Sequence, residues 1–172
     1  MYKINDLVVY GKTGVCRITD IAVPENSQMK KDQLYYVLQP LYESCTIYTP
    51  VDTKVFMRPV ISAKEADRLI DSIPAMRADA YYNDRLQELV QHYEDALKDQ
   101  DCACLLELTM SIYAKKKYLQ QNSQKFGQTD ERYLKQAEHL LCSEFSLALE
   151  IPKEDVPAYI EARVEALHLQ TE

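Results

Sequence analysis

The hydrophobic period changes once along this chain, at Ser62. Before that point apolar residues alternate or sit in short runs. After it they recur every three to four positions. A period of two suits a strand whose side chains point to opposite faces of a sheet, and a period of 3.6 suits a helix with one buried stripe. The chain therefore reads as a strand-built unit followed by a helical one. The junction carries its own signal, because Ser62-Ala63-Lys64-Glu65 has the S-x-x-E form of a capping box, in which serine and glutamate satisfy amides at a helix start.

Residues 4–60 contain five short β-rich runs. The first, 7–10, is followed by the turn Gly11-Lys12-Thr13-Gly14. In 15–21, strict alternation puts Val15, Arg17, Thr19 and Ile21 on one face and Cys16, Ile18 and Asp20 on the other. Residues 24–32 are polar and read as a long hairpin loop; 34–38, 45–49 and 55–60 complete the set, the last interrupted by Pro59. Five short strands without a helical signal predict a small SH3-like or Tudor-like β-barrel.

The rest reads as an all-α bundle of about five helices. The first runs from Ser62 to about Ile73 and stops near Pro74. A second starts near Asn83 with Leu86, Leu89, Val90, Tyr93 and Leu97 on one face, and a third near Asp101 carries Leu105, Leu108, Ile112 and Leu119. Thr129 caps a fourth, with Asp130 and Glu131 complementing its dipole and Leu134, Ala137, Leu141, Phe145 and Ala148 buried. Asp155 and Pro157 open a short fifth through Tyr159 and Val164. The fold class is α+β in two domains, residues 1–60 and 61–172.

Charge and cysteine narrow the chemistry. Three glycines argue against a phosphate-binding loop, and no stretch approaches the ~18 apolar residues of a membrane span. The N-terminus shows no secretion signal, so a cytoplasmic protein with no membrane partner is expected. Five scattered cysteines and three isolated histidines give neither a disulfide framework nor zinc spacing, and Cys102 and Cys104 fall on different faces of a helix. Seven basic and six acidic residues lie through Ser62, but thirteen and twenty-one lie beyond it, a balance of −8. Binding driven by DNA phosphates would need the opposite balance, so any DNA contact is local and weak or is supported by another protein. His92, Glu94 and Asp95, or His139, Cys142 and Glu144, lie close enough in sequence to suggest an enzyme. Solvated helix surface explains them more simply, and the expectation is no enzyme, no metal, no cofactor and no small-molecule substrate.

Three passages carry a resemblance. Ile4-Asn5-Asp6-Leu7-Val8-Val9-Tyr10-Gly11-Lys12-Thr13-Gly14-Val15-Cys16 is similar to the opening of the CarD family of bacterial transcription regulators, with Asn5 where glycine is usual. Asp130-Glu131-Arg132-Tyr133-Leu134-Lys135-Gln136-Ala137-Glu138 and Ile151-Pro152-Lys153-Glu154-Asp155-Val156-Pro157-Ala158-Tyr159-Ile160 resemble the C-terminal domain of its clostridial-type members. The likeness covers most of the chain, and order and spacing make it specific where each passage alone is weak.

The resemblance implies a non-enzymatic adaptor whose barrel docks on the lobe of the RNA polymerase β subunit, largely by strand pairing. Carried across, the polymerase-binding residues are Ile21, Ala22 and Val23 with Thr46, Ile47, Tyr48 and Thr49. Some members place an arginine about where Tyr48 stands. The plainer reading of all seven is half-buried strand residues.

The family's helical domain contacts promoter DNA at the upstream edge of the melted region and modulates open-complex stability, with a tryptophan as a wedge. This chain has no tryptophan. In Ala80-Tyr81-Tyr82-Asn83-Asp84-Arg85 the substitutes are Tyr81 and Tyr82, and either could instead staple the start of the next helix. Asn83 and Arg85 complete the segment. Lys115, Lys116, Lys117, Lys125, Arg132 and Lys135 are the candidate phosphate contacts; such a run also reads as a solvated helix end. A second reading keeps the polymerase-binding unit but has the acidic helical domain engage another protein and not DNA. A third is a scaffold with no nucleic-acid partner at all.

Overall fold

Two backward-turning glycines begin the fold. Strand β1 (Leu7–Tyr10) is joined to β2 (Gly14–Ala22) by a 3-10 turn at Gly11–Thr13. Gly11 and Gly14 have φ of 43° and 85°, the region that favours glycine. A Cβ on Gly11 would also approach the Val55 side chain to 3.0 Å. The computed structural model describes residues 1–24, 32–98 and 101–170, and the chain divides into two units, Met1–Val60 and Ile61–Glu172. Most of the polar loop expected over 24–32 lies outside the described residues.

In the first unit, β3 (Tyr35–Pro40), β4 (Ile47–Pro50) and β5 (Met57–Pro59) complete an antiparallel sheet of order β4-β3-β2-β1-β5. The expected barrel is not closed: among the described residues β4 and β5 remain edges. The residues supply a reason, since β4 and β5 are short and each ends in a proline, Pro50 and Pro59, that has no N–H to donate to another ladder. The sheet nevertheless curls, because Tyr10 on β1 donates its hydroxyl to Thr49 Oγ1 on β4 at 3.1 Å. Val8, Cys16, Ile18, Tyr36 and Leu38 form the core inside the curl, with Ile21, Ile47 and Met57 packed against it.

Strict alternation fails in β2. Ile18 pairs with Leu38 and Asp20 with Val37, so Thr19 is an extra residue, a β-bulge. Its Oγ1 donates to the Val37 carbonyl at 3.1 Å. The extra residue reverses the phase, and Ile21 joins Cys16 and Ile18 on the core side, opposite Tyr36.

The second unit is built on α1 (Ala63–Asp71), α2 (Leu86–Ala96), α3 (Cys102–Gln121), α4 (Gln128–Leu149) and α5 (Val156–Gln170), with 3-10 turns at Ile73–Ala75 and Lys153–Asp155. Ser62 caps α1, its Oγ accepting from the Glu65 amide at 3.2 Å, but the glutamate half of the expected box is not made, since the Glu65 carboxylate pairs with Arg68 at 2.6 Å. Buried Tyr93, Leu97, Leu105, Ile112, Tyr133, Ala137, Leu141 and Phe145 join α2, α3 and α4 in one core, and Ala66, Ile70 and Val156 bring in α1 and α5. Cys102 is buried and Cys104 exposed, as two positions apart on one helix require. Glu144 is also buried; it accepts from the Ile61 amide at 3.0 Å and the Cys102 thiol at 2.8 Å, so the first residue of this unit is tied to α3 and α4.

Two helix starts differ from expectation. α2 begins at Leu86 and not near Asn83, because Asn83 Oδ1 accepts from the Arg85 amide at 2.9 Å in a turn ahead of the helix. α4 begins after Gly127 and not at Thr129. Asp130 is therefore inside the first turn, and it points into the core instead of serving mainly as a dipole partner in solvent.

Candidate functional site

Each unit carries one candidate surface. In the sheet, β4 has β3 on one side and no strand on the other among the described residues. An edge strand keeps amides and carbonyls that a partner strand can pair. β1 pairs with β2 only as far as Arg17, so among the described residues the stretch of β2 from Thr19 through Ala22 is paired with β3 alone. Just ahead of that stretch, the Ile18 backbone meets Asn5 and Asp6.

The seven predicted polymerase-binding residues divide between the faces. Thr46 and Tyr48 are exposed, Tyr48 at 46%, and Val23 is exposed at 45%. Ile21 and Ile47 are half-buried and packed on the sheet core, while Ala22 is half-buried. Thr49 is 2% exposed and holds the Tyr10 hydroxyl, so its side chain is not available at the surface; it is a structural residue of the curl. Ile21, Tyr36 and Thr49 form one inward row across three strands, and Asp20, Val37 and Tyr48 form the adjacent row. That Asp20 and Val37 share a row with Tyr48 is not visible in alternation, because it follows from the bulge in β2.

The helical unit presents an aromatic surface on the loop before α2. Tyr81 and Tyr82, equivalent in the sequence, have different roles here. The Tyr81 ring stacks on His92 at 3.7 Å between centroids and 12° between planes, and its hydroxyl accepts from Asn83 Nδ2 at 3.1 Å. Burial, helped by the Lys115 charge, lowers the His92 pKa against an opposing effect from Asp95, which favours the neutral imidazole under Tyr81. Tyr82 is 50% exposed and meets Tyr118 edge-to-face at 6.0 Å. Tyr118, itself exposed, was not singled out in the sequence.

Beneath Tyr82 is a buried ion pair. Lys115 Nζ is 2.9 Å from Asp130 Oδ1, and the side chains are 8% and 6% exposed. Tyr93 donates its hydroxyl to the same oxygen at 2.6 Å. Burial, together with Asp130, pushes the Tyr93 phenol far above its ordinary value, so it stays a donor. The ammonium of Lys115 also lies 5.2 Å from the centre of the Tyr82 ring.

This corrects the expected lysine patch. Helical geometry spreads three consecutive lysines around α3: Lys115 faces the core, Lys116 lies 5.6 Å from the Phe126 ring centre, and Lys117 faces solvent. Lys115 is buried and paired with Asp130 inside the unit, so its ammonium is not at the surface with the other two. Arg85 is paired with Glu88 at 2.9 Å and Lys135 with Glu131 at 3.2 Å, both at the surface. Arg132 rests on the Tyr133 ring. Lys117 and Lys125 are exposed and have no ionic partner among the described residues. Asn83, besides its turn bond, donates to Glu88 at 2.8 Å, so it organises the start of α2.

Among the described residues, no three His, Cys, Asp or Glu side chains are grouped to hold a metal ion, and no helix is long and apolar enough to cross a membrane. Compared with known protein families, residues 2–61 match the family described as CarD-like/TRCF RID domain. No curated protein matches the chain.

Proposed function

The chain carries a CarD-like RNA polymerase-interacting domain at its N-terminus, and from that premise we propose that it regulates transcription by docking this unit on the polymerase β-subunit lobe while its helical unit engages promoter DNA. The observation that carries the docking is the open outer side of β4, with Tyr48 exposed beside it. Pairing a partner strand there satisfies backbone groups that otherwise face water and lets Tyr48 and Thr46 select the partner. The family's small barrel form is compatible with the curl of the sheet, and pairing along β4 extends a ladder that ends there in the free protein. Val23 and the flanked-on-one-side part of β2 supply a second contact strip.

On the helical unit, Tyr82 is the aromatic group suited to an unstacked base at the upstream edge of melted DNA. Tyr81 is committed to His92. Lys117 and Lys125 are the cations best placed to meet phosphates, with Arg85, Lys116, Arg132 and Lys135 reaching them only after exchanging present contacts. Binding of this kind favours whichever promoter state exposes the base, and so shifts the population toward the melted complex.

A calorimetric titration of the full chain into the isolated β lobe of its polymerase tests the docking. Saturable binding, weakened by Tyr48→Glu, is expected. Absence of binding at tens of micromolar, an affinity weaker than roughly 6 to 7 kcal/mol, refutes it. Tyr48 is the appropriate probe because Ile47 packs into the core, where a charge would report on folding.

A second reading has its own support: the helical unit holds thirteen basic against twenty-one acidic residues, and several of the basic ones are already paired. In that case its partner is a basic protein surface. DNA affinity measured against salt separates the two, since phosphate contacts give a steep dependence.

A further inference from the structure

We infer that Lys115, with Tyr118 and Ser111, acts on DNA by holding Tyr82 in one orientation for stacking against an unpaired base, and not by contacting phosphate. The inference rests on the reading of the helical unit as a DNA-contacting one and assigns the device that makes Tyr82 competent.

The loop that carries Tyr82 lies between the 3-10 turn Ile73–Ala75 and α2, without regular structure of its own. An exposed ring on such a loop samples several rotamers, and stacking on a base would have to overcome that freedom. Three side chains of α3 remove it. Ser111 donates its hydroxyl to the Asp79 carbonyl at 2.6 Å. One turn on, the Lys115 ammonium faces the Tyr82 ring at 5.2 Å. Almost a further turn on, Tyr118 meets the same ring at 6.0 Å and 73°. Positions 111, 115 and 118 are four and three apart, the spacing of one helix face, so a single stripe supports the whole loop. Tyr81, stacked on His92, fixes the residue next door from the α2 side.

The ammonium is itself held by its neighbours. It is buried against Asp130, and Asp130 is held by Tyr93 and by its place in the first turn of α4. A cation exposed to water would exchange partners. This one lies against the ring, and Tyr82 remains 50% exposed. A rigid, correctly oriented ring loses less freedom on stacking than a mobile one, and that difference appears as affinity.

The test is binding of the full chain to a labelled duplex with an unpaired fork, by fluorescence anisotropy at several salt concentrations. Tyr82→Leu is expected to weaken binding roughly tenfold, and Lys115→Met and Tyr118→Leu several-fold each. None should change the slope of log affinity against log salt, whereas loss of one phosphate contact reduces it by about 0.7 to 0.9. On a Tyr82→Leu background, Lys115→Met and Tyr118→Leu should have no further effect. Tyr118 is exposed, so its variant keeps the test valid if Lys115→Met unfolds. A reduced slope for Lys115→Met overturns the inference in favour of phosphate contact. Losses that persist without Tyr82, or full affinity in Tyr118→Leu, also overturn it. If the unmodified protein binds its polymerase lobe but not the forked DNA, the DNA reading itself falls and the inference with it.

Discussion

Asp130→Ala should unfold much of the stability of the helical unit. The carboxylate is 5% exposed and one of its oxygens accepts from both Lys115 and Tyr93. Removing it leaves a buried ammonium without a counter-charge, at a cost of about 3–5 kcal/mol. The orphaned Tyr93 hydroxyl alone would cost about 1–3 kcal/mol. Both depend on one oxygen, so they overlap, and about 3–5 kcal/mol is the expected total. Against the roughly 5–15 kcal/mol that holds a domain together, this is a large share. It corresponds to a fall in Tm on the order of 15 °C for a unit of this size. Urea unfolding followed by circular dichroism at the helical band reports on this unit, because the helices all lie in Ile61–Glu172. Replacing the whole network, Lys115→Met with Asp130→Leu and Tyr93→Phe, should recover most of the loss, because no polar group is then stranded. A loss below about 1 kcal/mol for Asp130→Ala, the size of a surface ion pair, would refute the reasoning by showing that water reaches Lys115.

Three further outcomes follow from the same geometry. Gly127→Ala puts a Cβ 3.1 Å from Asp130 Oδ2, and since that carboxylate is pinned by Lys115 and Tyr93 the variant should lose about 1–3 kcal/mol in the same unfolding experiment. The bidentate contact of Arg163 with Asp71 holds the Asp71 carboxyl below its ordinary value of 3.8, outweighing partial burial. A depressed carboxylate pKa adds stability that is present above the unfolded value and lost as pH falls through the folded one. Amide protection at the α1–α5 contact, taken relative to the intrinsic exchange rate at each pH, should therefore fall below about pH 4, and Asp71→Asn should remove that dependence. Of the five thiols, Cys45 and Cys104 are exposed and should react first with a disulfide reagent. Cys16, with its pKa pushed up to about 12 chiefly by burial, and buried Cys102 should react only on unfolding.

Much of the architecture was legible because it depends on local periods. The switch at Ser62, the capping serine, the Gly11 and Gly14 turn and the buried stripe of α4 all involve residues within a few positions of one another. The resemblance in residues 4–16 likewise agrees with the family match over 2–61. Errors appear where a distant residue decided the outcome. The bulge at Thr19 depends on how β2 meets β3, and it moves Ile21 to the face of Cys16 and Ile18. Among the described residues the sheet stays open, with the short, proline-ended strands β4 and β5 at its edges, and which strands become edges is a property of all five together.

The candidate site shows the same division more sharply. Chain order determined that two tyrosines would precede α2 and that three lysines would lie on α3. It could not distinguish Tyr81 from Tyr82, or Lys115 from Lys117, because their neighbours in sequence are nearly alike. Tertiary packing separated them: His92 took Tyr81, while Asp130, fifteen residues beyond Lys115, took its charge into the core. The physical reason is that local propensity and period act over a turn or a strand, whereas burial and ion pairing depend on which distant groups the folded chain brings within a few ångströms.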